Sequence, residues 1–152
     1  MKTYFIDGNN LMGKLPSMKN RMKTDKTGVR EELAVKLDRV FLSTNNKVVL
    51  FLDGFQSDII KTNKIRIIYS DSKPADIVIK NEIDISKNPR NIVVVSSDNE
   101  VYNYGKKCSC GAMKAEDFIT KFFRAAEEKE ETERIQSLER QKDEFKKIFG
   151  IE

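Results

Sequence analysis

Three short apolar runs in this chain each end on an aspartate, and few folds are open to a chain built that way. Tyr4-Phe5-Ile6 runs into Asp7-Gly8, Val48-Val49-Leu50-Phe51-Leu52 into Asp53-Gly54, and Ile92-Val93-Val94-Val95 through Ser96-Ser97 into Asp98. Runs this short, apolar throughout and rich in β-branched residues, read as strands buried on both faces. Between the first two, Val29, Leu33, Leu37, Val40 and Phe41 fall at helical spacing and predict an amphipathic helix over about residues 28 to 43. Strands alternating with helices over short connections predict an α/β domain with a central, mostly parallel sheet of four or five strands, covered on both faces.

The remaining segments fill in that plan. Leu11 to Thr27 lacks periodicity and reads as a helical turn followed by a loop. In that loop Lys14, Lys19, Arg21, Lys23 and Lys26 stand against Asp25 alone. Such a charge run is ordinarily solvated surface, yet a basic loop opening from the Asp7 edge is also placed to steer a phosphate backbone. Ile65 to Tyr69 predicts a third strand, and Pro74 suits the first turn of a helix carrying Asp76, Ile79 and Ile83. Asp98 suits a helix N-cap, Gly105 is expected to close that helix, and Gly111 to precede the last one. From Ala115 onwards the pattern is helical, with Phe118, Ile119, Phe122 and Phe123 available to dock its first turns. Beyond Arg124 only Ile135, Leu138, Phe145 and Ile148 interrupt a run of charges, predicting a long charged helix with a weak apolar stripe. The chain is therefore divided into a domain over residues 1–124 and a helical extension over residues 125–152.

Composition narrows the chemistry. The chain has no histidine and its only cysteines are Cys108 and Cys110, too few to close a tetrahedral zinc site and without the partners of a Ser-His-Asp or Cys-His nucleophile. Any catalytic metal must then be held by oxygen, which points to Mg²⁺ or Mn²⁺. The net charge of +4 leans mildly towards a polyanionic partner. No apolar run has the length of a membrane span and Met1-Lys2 leads into a strand rather than a leader, so the expectation is a cytoplasmic protein with no membrane partner.

Strand ends of a parallel sheet lie side by side, so Asp7, Asp53 and Asp98 are expected to converge at its C-terminal edge, with Asp76 entering from the start of a helix. Carboxylates packed together repel, and one is driven to protonate unless a cation sits between them. A metal held by carboxylates and water suits attack on a phosphodiester. Taken singly, Asp53 and Asp98 read more plainly as a turn former and an N-cap, and Asp76 as a first-turn carboxylate favoured by the helix dipole. Asp7 is the hardest to explain away, because Asn9 and Asn10 crowd the same turn. Asp25, Asp38, Asp58, Asp71, Asp84 and Asp117 lack this placement and read as surface.

With those residues in view, the chain resembles the NYN nucleases of PIN-like fold, and among them the bacterial YacP-like ribonucleases. Ile6-Asp7-Gly8-Asn9-Asn10 is similar to the family's D-G-Y-N, Phe51-Leu52-Asp53 to its second strand end, Ala75-Asp76 to its T-A-D, and Ser96-Ser97-Asp98 to its T-S-D. The order and spacing agree across about residues 1 to 124. The resemblance implies a three-layer fold of PIN type and Mg²⁺- or Mn²⁺-dependent endonucleolytic cleavage of RNA, in mRNA decay or RNA processing. It implies catalytic roles for Asp7, Asp53, Asp76, Asp98 and Asn10, with Asp7, Asp76 and Asp98 on the metal. Lys14, Lys19, Arg21 and Lys23 would then contact RNA, single-stranded or messenger, with the ribosome a further candidate partner. The chain departs from the family pattern at Asn9, where an aromatic is usual; at Lys80, where relatives often carry an acid; and at Asn99, where Arg is common.

Three other readings compete. A non-catalytic RNA- or ribosome-binding module would keep the fold, and Lys80 is the residue that favours it. A small-molecule phosphohydrolase of haloacid-dehalogenase type would want a second aspartate two residues after the first, where Asn9 stands. DNA cleavage of flap-nuclease type uses the same metal chemistry. For its oligomeric state the sequence suggests a monomer or a weak homodimer through the charged helix.

Overall fold

The computed structural model describes residues 1–150. The chain divides into two compact units, Met1–Phe118 and Ile119–Glu152. Five strands form one sheet in the order β3-β2-β1-β4-β5: β1 (Thr3–Asp7), β2 (Lys47–Leu52), β3 (Ile65–Tyr69), β4 (Ile92–Val95) and β5 (Gly111–Met113). Every pairing is parallel, with Ile6 opposite both Leu50 and Val95. The chain builds outwards from β1 to β2 and β3, then returns to the other side of β1 for β4 and β5. That reversal between β1 and β4 is the crevice where open α/β sheets place their sites.

The side-chain period of two sorts the strands' residues onto two faces. On one face Phe5, Val49, Phe51 and Val94 pack with Ile79 and Ile83 of α4 (Ala75–Asp84) and Val101 of α5 (Asn99–Lys107). On the other, the Tyr4 ring lies tilted 5.3 Å from that of Phe41 of α3 (Lys26–Phe41) and edge-on 6.2 Å from that of Phe118 of a short helix, Ala115–Phe118. The result is the expected three-layer arrangement around a parallel sheet.

Several local expectations are revised. The helical turn expected at the start of Leu11 to Thr27 is α1 (Gly8–Gly13), but the loop expected after it contains a further short helix, α2 (Pro16–Lys19), with Pro16 at its start. Gly105 does not end its helix: it lies buried within α5, against Val94. Gly111 opens β5, too short a strand to show a period. Asp38 is not idle surface, since against the upward push of burial the amides of Asn63, Lys64 and Ile65 hold its carboxyl below the ordinary range, which fixes the entry to β3. In the second unit a π-helical stretch, Ile119–Arg124, leads into a long helix, Ala125–Ile148, none of whose residues is buried.

Candidate active site

Asp7 ends β1 at the crevice. Its Oδ2 accepts the Ser96 hydroxyl at 2.9 Å, across the β1–β4 pairing. Burial pushes its carboxyl up to about 6; the bonds from Ser96 and from the Asn10 amide pull it down, and the charges of Asp53 and Asp98 push it further up. Desolvation is thus the main cause of the rise at Asp7, and the like charges of Asp53 and Asp98 add a smaller push.

The neighbouring strand ends are tied into the same edge. Asn9 Oδ1 accepts the Asp53 amide at 3.1 Å, and Asp53 Oδ1 accepts the Ala75 amide at 2.9 Å, so Asp53 anchors the start of α4 beside Asp76. Asn10 Oδ1 accepts the Ser97 amide at 2.8 Å and holds the turn that delivers Asp98. Asp98 Oδ1 caps α5 through the amides of Glu100 and Val101. Asp76 lies in the first turn of α4, and its charge is felt one turn on by Lys80. The Lys80 ammonium, bonded to Glu100 and 5.5 Å from the Tyr104 ring centre, is raised above its usual range first by that bond, with Asp76 and Asp98 adding to it. The acids thus form two neighbourhoods, Asp7 with Asp53 and Asp98, and Asp76 with Asp98 around Lys80.

The basic residues separate. Lys14 pairs with Glu116 at 3.2 Å, and Arg21 pairs with Glu32 at 2.8 Å and with Asp25 at 3.5 Å. Lys19 and Lys23 are exposed and have no ion pair among the described residues. Glu116 went unremarked in the sequence, and no local signal marks it, because it reaches the site only through the return of the chain to β5. Its carboxylate accepts the Ser97 hydroxyl, and that bond, its own amide and Lys14 hold it down at about 2.

The donor set is all oxygen, as a hard divalent cation requires. Among the described residues no three Asp, Glu, Cys or His side chains are gathered closely enough to bind one ion together. Mg²⁺ is characteristically held by one or two carboxylates with water completing its shell, and that mode fits Asp7 with its neighbours. A cation there would also favour the charged form of Asp7, which burial and, to a lesser degree, the neighbouring aspartates oppose.

Comparison with known proteins places the fold in a family. The family model of the YacP-like NYN domain matches residues 4–149. The chain belongs to that family, which is of ribonuclease type. The match continues through the charged helix, beyond the reach of the four short motifs. Crystal structures of Rae1 (YacP) from Bacillus subtilis share the fold: one has a TM-score of 0.71 at 19% identity over 99% of this chain and 88% of that one. A tryptophan-to-leucine mutant of the same protein has a TM-score of 0.71 at 17% identity, covering 90% and 82%. No curated protein matches the chain in sequence. Among the described residues no helix is long and apolar enough to cross a membrane.

Proposed function

We propose that this NYN domain is a metal-dependent endoribonuclease acting on single-stranded or messenger RNA in the cytoplasm, in mRNA decay or RNA processing. The observation that carries the proposal is Asp7: a carboxylate at the sheet's switch point, driven up by burial and by two further strand-end aspartates. Asp7, Asp76 and Asp98 would hold Mg²⁺ or Mn²⁺, one or two of them directly and the rest through water. Bound there, the ion would lower the pKa of its water and neutralise charge on the scissile phosphate. Asp53 supports the cluster by fixing α4, and Asn10 by fixing the turn before Asp98. Ser96 orients the Asp7 carboxylate. Lys19 and Lys23 are the better candidates for steering RNA, since Lys14 and Arg21 already face acids. A ribosome-bound messenger is a compatible substrate.

The test is cleavage of a long labelled single-stranded RNA in Mn²⁺, Mg²⁺ or EDTA, with wild type beside Asp7→Asn. Cleavage should require the ion, and the substitution should reduce it by at least about 100-fold, more than the loss of a mere supporting group. Undiminished cleavage by Asp7→Asn would refute the assignment. Lys80 favours a second reading, a binding module on the same fold, because it brings a resident cation to Asp76 and Asp98. Tight RNA binding without cleavage at millimolar Mn²⁺ would select it.

A further inference from the structure

Arg30 is a charged residue in the wrong place for a structural one. It sits on the buried face of α3 with Leu33, Ala34 and Leu37, only 2% exposed. Its guanidinium donates to the carbonyls of Asp53 and Phe55 and lies 5.4 Å from the centre of the Tyr69 ring. Its Nε has no partner. No carboxylate lies within ion-pair distance of it among the described residues. The two carbonyls and the ring solvate the buried guanidinium but do not neutralise its charge, so an anion brought to this edge would be favoured.

A second cation faces the same point. A Cβ placed on Gly54 would lie 3.5 Å from Lys26 Nζ and 3.7 Å from an Arg30 nitrogen, and Gly54 holds the positive φ of +81° that keeps this turn open. Lys26 is exposed and likewise unpaired among the described residues, while Asp25 beside it is taken up by the Gly28 amide and Arg21. Beside them Asn9, Met12, Met22, Lys26, Val29 and Arg30 line a recess of about 40 Å³, apolar through Met12, Met22 and Val29 and polar through Asn9 and the two cations. By the measure of about 10–15 Å³ per water that is room for roughly three waters, the scale of a phosphate group and too small for a nucleobase. Asn9, whose Oδ1 accepts the Asp53 amide, lines the recess, so the recess adjoins the acidic edge.

We propose that the recess between Asn9, Lys26 and Arg30 is a phosphate subsite that seats an RNA backbone phosphate flanking the one to be cleaved. The inference rests on the ribonuclease reading above and adds a specific place for the strand to lie. Arg30 is suited to it because its planar fork can hold backbone carbonyls and still present a weakly hydrated charge. Lys26 supplies the point charge at the mouth.

The experiment is fluorescence-polarisation titration of a labelled single-stranded RNA oligonucleotide in EDTA over a series of KCl concentrations. Wild type is set beside Lys26→Ala, Lys26→Glu and, as a control, Lys47→Ala at the opposite edge of the sheet. Lys26→Ala should weaken binding several-fold and lower the magnitude of the log–log salt slope by about 0.7, the share of one phosphate on a single strand. Lys26→Glu should weaken it further, and Lys47→Ala should change neither quantity. Unaltered binding by Lys26→Ala, or equal losses in Lys26→Ala and Lys47→Ala, would overturn the subsite while leaving the RNA reading intact. Absence of RNA binding by the wild type would overturn both. A calorimetric titration with inorganic phosphate separates the sources: binding lost in Lys26→Ala while RNA affinity and slope stay unchanged would make this a free-phosphate site and refute the proposal.

Discussion

Asp7 is held in a state that suits chemistry and opposes folding. Its carboxyl is raised from 3.8 to about 6, so the folded chain binds a proton there more tightly than the unfolded chain does. Stability from the protonated form is complete below the unfolded value and is lost as pH rises from about 4 to about 6, after which the penalty is constant. That difference corresponds to roughly 3 kcal/mol. Asp7→Asn keeps an acceptor for Ser96 without the charge. In EDTA it should therefore melt with the wild type near pH 4 and above it near pH 8, by about 3–10 °C for a chain of this size. Mn²⁺ should raise the melting temperature of the wild type and not of the variant. Equal melting at pH 8 would show that the charge carries no such penalty. Asp7 announced itself in the sequence through the strand, the glycine and the asparagines around it. Arg30 carried a fainter signal, a cation at a position sharing the helical spacing of Leu33, Leu37 and Phe41. Glu116 carried none.

At the scale of elements, what was legible was what periodicity and termini encode. Four strands, the helices on each face and the cap at Asp98 follow from apolar runs, the spacing of Val29 to Phe41, and the chemistry of Pro74 and Asp98. Missed were the elements too short to have a period: β5 spans three residues, and α2 four. The polar ties across the edge, Asn9 to Asp53 and Asn10 to Ser97, join residues 44 and 87 positions apart and have no local trace. Gly8 shows how closely one such element is fitted. A Cβ there would lie 2.7 Å from the Phe51 carbonyl oxygen and within 3 Å of Leu50 and Leu52, so α1 can seat on β2 only with a glycine at its first position. Gly8→Ala should cost about 1–3 kcal/mol by overpacking, lowering the melting temperature by about 3–10 °C. Since Asp7, Asn9 and Asn10 flank it, cleavage measured well below that melting temperature should fall as well. A variant that melts like the wild type would show that α1 can lift from the sheet without strain.

At the scale of the whole chain, the long helix Ala125–Ile148 poses the remaining physical problem. None of its residues is buried, and Ile135, Leu138, Phe145, Ile148 and Phe149 are exposed. A single helix stripped of packing is marginal in water, so something beyond helix propensity must repay its order. Ile135, Leu138, Phe145 and Phe149 fall at the a and d positions of about two heptads, with Lys142 at the intervening a position. Sustained coiled coils need at least about three to four heptads, so this stripe supports only weak self-association. The expected behaviour is a homodimer populated at high concentration and a monomer on dilution, read by sedimentation velocity across a concentration series. Truncation after Arg124 should abolish the dimer and, because it removes no buried side chain, leave the melting temperature within about 2 °C. A truncated chain with the same concentration dependence would place association elsewhere. A large fall in melting temperature would mean that the helix contributes to the fold through contacts that leave it exposed.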